Sequence, residues 1–366
     1  MTGPLSTRHA DRLTRLREKM GESGVAVLWV EPSINFLYLT GLDPLSIERL
    51  SGLLVPAEGD LTLVVPAMLE EETRALGATN TFTWTDGEGP EGAAGKALAQ
   101  VSKLWVQPTL PMWAGELLRR SSPGLEVEVE PGLIPALRRI KDDHEVELLR
   151  QSGEFTDEVV EWVGELDLER MTERKLARRI RARYLELGVE GADWALVASG
   201  PNASMPHYAG GDVAIETNRP LLLDFGGAVE GYWSDITRIY FPRDLDPEIK
   251  EAYEVVCAAA EAAFKTAAPG VACSEVDRAA RSVIEDAGLG EYFVHRTGHG
   301  LGLDVHEDPY IREGNEVPLE VGNVFSIEPG VYVPGRYGVR YENIVHLSDR
   351  GPESFNHSPR EHYFSN

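Results

Sequence analysis

LLLDFGGAVEGYWSDITRIYF, residues 221–241, is the stretch on which the reading of this chain turns. Two apolar arms flank a glycine-containing turn, the pattern of a β-hairpin. Each arm carries an aspartate, Asp224 and Asp235. Aspartate is depleted in strands, and an unpaired carboxylate beside three leucines is costly to bury. The midpoint of the two aspartates falls between Val229 and Glu230. Arms paired about that point set Asp224 opposite Asp235 on one face, with Cβ atoms about 5 Å apart. Two bare carboxylates there repel, so a cation is expected between them.

FSIEPGVYVPGRYGVRYENIV, residues 325–345, repeats the design with glutamates. Glu328 and Glu342 are centred on Gly335, inside the turn signal Pro334-Gly335, and should face each other across a second antiparallel pair. The alternative is two solvated ladders facing water. The apolar and aromatic flanks, and the absence of lysine from both hairpins, speak against it. Four converging carboxylates call for more than one cation, as in sites with two metals about 3.5–4 Å apart. His299 lies in HRTGHGLGLDVHEDP, residues 295–309. A lone histidine is more often structural than a ligand, but His295, His299 and His306 share one glycine-rich stretch. Carboxylates with one imidazole suit Mn²⁺ or Co²⁺, with Zn²⁺ as a further candidate.

Outward from the hairpins, the chain reads as two domains. Up to residue 135, short runs such as GVAVLWV, FLYLTGL, GLLVPA and LTLVVPA read as strands of a smaller α/β domain. Pro131 and Pro135 mark the boundary. Residues 136–366 open with helices: one capped by Thr172 and ending at Gly188, another entered at Asp246-Pro247, a third begun by a Ser274/Asp277 capping box. Helices grouped on one side with hairpins on the other predict an α+β layer.

Of 366 residues, 42% are hydrophobic, which supports a large core, and the formal charge is −25. Such acidity disfavours nucleic acid and anionic membranes as partners. The N-terminus has no signal-peptide pattern and no apolar run is long enough to span a bilayer, so a soluble, cytoplasmic protein is expected. Cys257 and Cys273 read as reduced thiols. Gly87, Gly89 and Gly92 match a dinucleotide-type spacing, but the acidic, proline-containing loop between them reads as an exposed turn.

The motifs LLLDFGG, GYWSDITR, TGHGLG, SIEPGVY and VRYENIV resemble, in order, the five ligand motifs of the "pita-bread" metallopeptidases of family M24. That family includes methionine aminopeptidase, aminopeptidase P, prolidase and the related creatinase. The likeness covers roughly residues 140–366, and the preceding α/β domain is similar to that of the prolidase and aminopeptidase P branch. The resemblance implies a pita-bread catalytic domain and two divalent metal ions held by Asp224, Asp235, His299, Glu328 and Glu342. It implies catalytic roles for His207, His306, Glu328 and Arg340, and a substrate pocket touching His295 and His306, to which the aromatic composition adds Trp233 as a candidate wall residue. Hydrolysis of short proline-containing peptides by a homodimer follows from the same likeness, as Xaa-Pro dipeptidase first, with aminopeptidase P, a proline-directed carboxypeptidase and a non-catalytic binding protein as alternatives. Many prolidases have arginine where this chain has Tyr310, and a phenol does not replace a guanidinium. Arg49, Arg312 and Arg336 are the candidate substitutes, and Trp194 and Phe293 are further candidates for the pocket wall.

Overall fold

The computed structural model describes residues 6–42, 48–189, 191–192 and 194–364. The chain forms two compact units that meet in sequence at Arg138 and Arg139. In the first, six strands, β1 (Val27–Val30), β2 (Gly52–Pro56), β3 (Thr62–Pro66), β4 (Asn80–Trp84), β5 (Lys103–Val106) and β6 (Glu126–Val129), form one sheet in the order β4-β3-β2-β1-β5-β6. β2 is antiparallel to β1 and β3, and the remaining neighbours are parallel. The run FLYLTGL, expected as a strand, is instead part of the helix Ile34–Thr40. Ser33 caps it through the Phe36 amide and Gly41 ends it in the left-handed region, so cap chemistry overrides a short apolar run.

Among its described residues the second unit is built on a four-stranded and a five-stranded sheet, each with a two-stranded extension. β7 (Ala195–Ser199), β8 (Leu221–Phe225), β11 (Ile236–Phe241) and β19 (Glu361–Tyr363) form the first, and the short pair β9 (Ala228–Val229) and β10 (Tyr232–Trp233) extends its central hairpin. The second is built from β12 (Gly298–Gly300), β13 (Glu307–Ile311), β14 (Val324–Ile327), β17 (Asn343–Ser348) and β18 (Gly351–Ser354). There β15 (Gly330–Val333) and β16 (Tyr337–Arg340) extend the β14/β17 hairpin. An isolated bridge between Thr237 and Glu342 ties the two sheets together.

Both faces of the first sheet are covered. Leu221, Leu223, Phe225 and Ile236 pack with the helices Asp143–Gly164 and Glu173–Glu186. Leu222, Ile239 and Phe241 pack with the helices Pro247–Thr266 and Cys273–Asp286. Period-two alternation puts Asp224 on the Leu222 side. Thr172 and Asp246 cap their helices as the sequence indicates. The expected Ser274/Asp277 box does not form: the helix starts at Cys273, Ser274 Oγ donates to Glu316, and Asp277 accepts from the Thr297 amide. A capping box is instead made by Asp142 and Glu145.

Gly298 has to be glycine, because a Cβ there would lie 1.9 Å from the Ser326 carbonyl oxygen on the adjacent strand. Replacing it with alanine must push β12 and β14 apart. G298A is expected to lower unfolding free energy by about 2 kcal/mol or more, measured by urea denaturation.

Candidate metal centre

The hairpins deliver their acids to one place, by two different registers. On the second, Ile327 pairs with Asn343, so Glu328 and Glu342 occupy the next facing position, about the Gly335 turn, as expected. On the first, Asp224 pairs with Thr237 rather than Asp235. The turn lies at Glu230 and Gly231, both with positive φ, one residue later than the sequence midpoint. Asp235 is therefore a diagonal neighbour of Asp224 on the same face, not its direct opposite. His299 sits at the middle of β12.

Asp235, His299 and Glu342 are buried, and each offers a ligand atom within 4.8 Å of the others. His299 Nε2 lies 3.2 Å from Glu328 Oε1 and 3.8 Å from Asp235 Oδ2. Its Nδ1 is 3.1 Å from the Gly300 carbonyl, an acceptor only, so Nδ1 carries a proton, and Nε2 faces the carboxylates, as a donor to Glu328 in the metal-free site and as a lone pair for a cation once its proton has left. Thr237 Oγ1 donates to Glu342 Oε2 at 2.7 Å. Arg340 spans the group: Nη2 donates to Asp224, Nε to Thr237 Oγ1 at 2.9 Å, and Nη1 to the Tyr332 hydroxyl at 2.6 Å. Tyr332 in turn meets His295 Nε2 at 2.9 Å.

Burial, then the charges of Glu342, Asp224 and Glu328, push the Asp235 carboxyl well above its ordinary range. Burial, then Glu328 and Asp224, do the same to Glu342. Burial also opposes ionisation of Glu328, but the His299 hydrogen bond and the neighbouring positive groups outweigh it and bring its pKa down to about 2. Asp235 Oδ1 and Glu342 Oε1 are buried and have no hydrogen-bond partner among the described residues. Orphaned buried carboxylate oxygens are expensive. Hard oxygen donors with one oriented imidazole lone pair are the donor set of a divalent cation.

A cavity of about 660 Å³ opens on this cluster. Asp224, Asp235, His299, Glu328, Glu342, His207, His295, His306 and Arg340 all line it. Burial, then His299 and Arg296, lower the pKa of His306 to about 4, so its ring is neutral near pH 7. Several sequence candidates fall elsewhere. Trp233 does not line the cavity but stands behind Trp194, which does, at a ring distance of 5.3 Å. Phe293 is buried edge-on to His295. Arg49 belongs to the first unit, where it pairs with Asp86; Arg336 pairs with Glu248 and Arg312 donates to the Glu313 carbonyl, and neither of these two lines the cavity. Tyr310 is also outside the lining, but the Arg296 guanidinium lies 4.7 Å over its ring and does line the cavity. The sequence reading gave no role to Arg296, nor to Tyr332, which closes the SIEPGVY motif and meets Arg340 through the β15/β16 pairing.

The family model for metallopeptidase family M24 matches residues 147–349, and that for the creatinase/prolidase N-terminal domain matches residues 12–140. This chain belongs to metallopeptidase family M24. A probable dipeptidase, PepE, of Mycobacterium tuberculosis is 34% identical to this M24 peptidase, over 96% of each chain. The crystal structure of a prolidase from Thermococcus sibiricus superimposes with a TM-score of 0.93 at 35% identity, covering 98% of this chain and 100% of that one. A dipeptidase from Pyrococcus horikoshii gives 0.91 at 37% identity, with the same coverage. As an M24 metallopeptidase, the protein takes divalent metal ions, and the cluster described above fits them.

A carboxyl whose folded pKa is raised binds protons on folding. Its contribution to stability is full below about pH 4 and is lost as pH rises through the raised value. Asp235 and Glu342 have this sign. Glu328 has the opposite sign, but its contribution is lost only at acid pH, below its unfolded value. Between about pH 5 and 8, therefore, Tm of the metal-free M24 peptidase should fall, and the rise in Tm on adding divalent metal should be larger at pH 8 than at pH 5. Differential scanning fluorimetry with and without EDTA checks this.

Proposed function

We propose that this metallopeptidase hydrolyses the bond before proline in short peptides, most readily Xaa-Pro dipeptides, with residues 136–366 as the catalytic domain. The observation that carries the reading is the single cavity in which five potential ligands meet three histidines and an apolar wall of Trp194, Leu196, Pro206 and Val305. Its volume suits a small peptide. Arg296, a cation on the same wall, favours a substrate with a free carboxylate despite tyrosine at position 310. The resemblance of the chain to dipeptidases and prolidases over nearly its full length supports the same conclusion.

In this reading Asp224, Asp235, His299, Glu328 and Glu342 would hold two divalent ions. Two such ions, Mn²⁺ by donor set, supply an acidified water and Lewis-acid polarisation when bound. Glu328, ionised, accepts the water proton and passes it toward the proline nitrogen. Neutral His306 donates a hydrogen bond to the developing oxyanion, and His207 steadies the same intermediate from the cavity wall. His295 packs against the substrate; its ring nitrogens are already engaged by Arg296 O and Tyr332 OH. Arg340 keeps Asp224 and Thr237 in place. We place the protein in the cytoplasm as a homodimer; exposed Met112 and Trp113 give the first unit an apolar patch suited to a partner copy.

Metal-loaded enzyme should cleave an Xaa-Pro dipeptide at least about tenfold faster, in kcat/KM, than the matching Xaa-Pro-Yaa tripeptide. A preference under a few-fold would transfer the assignment to aminopeptidase P. D235N and E342Q should each lose about 10³-fold or more in kcat, with reduced metal content by plasma emission spectroscopy. Less than one equivalent of metal bound by wild-type protein after Mn²⁺ loading would instead indicate a binding protein.

A further inference from the structure

The metal ligands belong to two sheets, and their relative placement depends on how those sheets are joined. The join is the Thr237–Glu342 bridge, whose one main-chain bond, from the Glu342 amide to the Thr237 carbonyl, is long at 3.4 Å. Behind it lies Arg238, with 0% of its surface exposed. Its guanidinium makes five hydrogen bonds, all to neutral oxygens. Nη1 donates to the Thr237 carbonyl at 2.9 Å and to the Glu342 carbonyl at 2.7 Å. Nη2 donates to Asn343 Oδ1 at 2.7 Å and to the Ser358 carbonyl at 3.2 Å, and Nε to Ser358 Oγ at 2.9 Å. The Tyr341 ring packs over the same group, 4.8 Å away. Among the described residues no carboxylate forms an ion pair with it.

A buried cation without a counter-ion is an expensive way to fill space. What it provides here is a rigid fork that grips one carbonyl from each sheet, two residues past Asp235 and on Glu342 itself. We propose that Arg238 is a positioning residue for the metal pair: it closes the seam between the sheets, so that Asp235 and Glu342, one carboxylate from each, aim at one point. Unlike Arg340, it puts positive charge behind the acids without occupying any of their carboxylate oxygens. The inference rests on the two-metal reading of the site.

The test is Mn²⁺ binding to metal-free wild type, R238M, R238K and S358A by isothermal titration calorimetry, with electron paramagnetic resonance to detect the spin-coupled pair. Wild type should bind two equivalents. R238M should keep the first and bind the second about 10- to 100-fold more weakly, the scale for groups that orient metal ligands. The coupled signal should fade, kcat should fall in step, and KM for an Xaa-Pro dipeptide should stay within about threefold. R238K, with the charge but fewer bonds, should lie between the two, and S358A should weaken the second equivalent several-fold. A folded R238M that binds both equivalents with wild-type affinity overturns the proposal, since a merely structural arginine would change Tm alone. If R238M does not fold, unchanged second-site affinity in both S358A and N343A overturns it. Binding of one equivalent by wild type overturns it as well. Two equivalents bound with no cleavage of proline peptides would remove the functional reading and leave the titration to decide the role of Arg238.

Discussion

The structure depends on keeping four acidic side chains together where they repel one another. Asp224, Asp235, Glu328 and Glu342 converge beside strands that bury leucine, isoleucine, valine and phenylalanine in the core. Such a cluster is stable only with compensating positive charge. Arg340 provides part of it directly on Asp224. The orphaned oxygens of Asp235 and Glu342 show where the rest is missing from the protein itself. The raised pKa values of those two residues express the same deficit, since protonation is the alternative to a cation.

The backbone must also let the acids approach. In both hairpins the main ladder stops beside the ligands and resumes as a short two-stranded extension, β9/β10 in one case and β15/β16 in the other. The extensions fix register from the turn, while the interruption takes residues 235, 328 and 342 out of their own hairpin's ladder. Glycine on each side of His299 lets β14 and β13 close on β12, because a Cβ at Gly298 or Gly300 would collide with their carbonyl oxygens. The metal ligands are thus placed by strand register and by close backbone packing, with little left to side-chain flexibility.

Much of this was legible before any coordinates. The carboxylates announced themselves because aspartate and glutamate amid branched and aromatic residues conflict with local propensity, and such conflicts gather at functional sites. Gly335 located the second turn correctly. The first was misplaced by one residue, because Glu230, a non-glycine residue with positive φ, carries half of the turn and has no compositional mark. The helix Ile34–Thr40 was mistaken for a strand because four to seven apolar residues fit either period. Arg296 and Tyr332 lie inside quoted stretches, but their roles could not be read there: these come from partners 14 and 8 residues away, Tyr310 and Arg340, which folding brings close.

The site's three buried or lining guanidiniums show how one residue type can serve different ends. Arg340 meets a carboxylate, so it both neutralises and orients, and its hydroxyl partners extend that order to His295. Arg238 meets only neutral oxygens, so its charge is unspent while its geometry is fully used. Arg296 rests on an aromatic face at the cavity wall, where its charge remains directed at whatever enters. A lysine could supply the charge in each case but not the planar fork, which is what lets Arg340 and Arg238 each join several main-chain and side-chain oxygens at once. The same acidic constellation that demands divalent ions therefore also dictates arginine at the positions that hold it in shape.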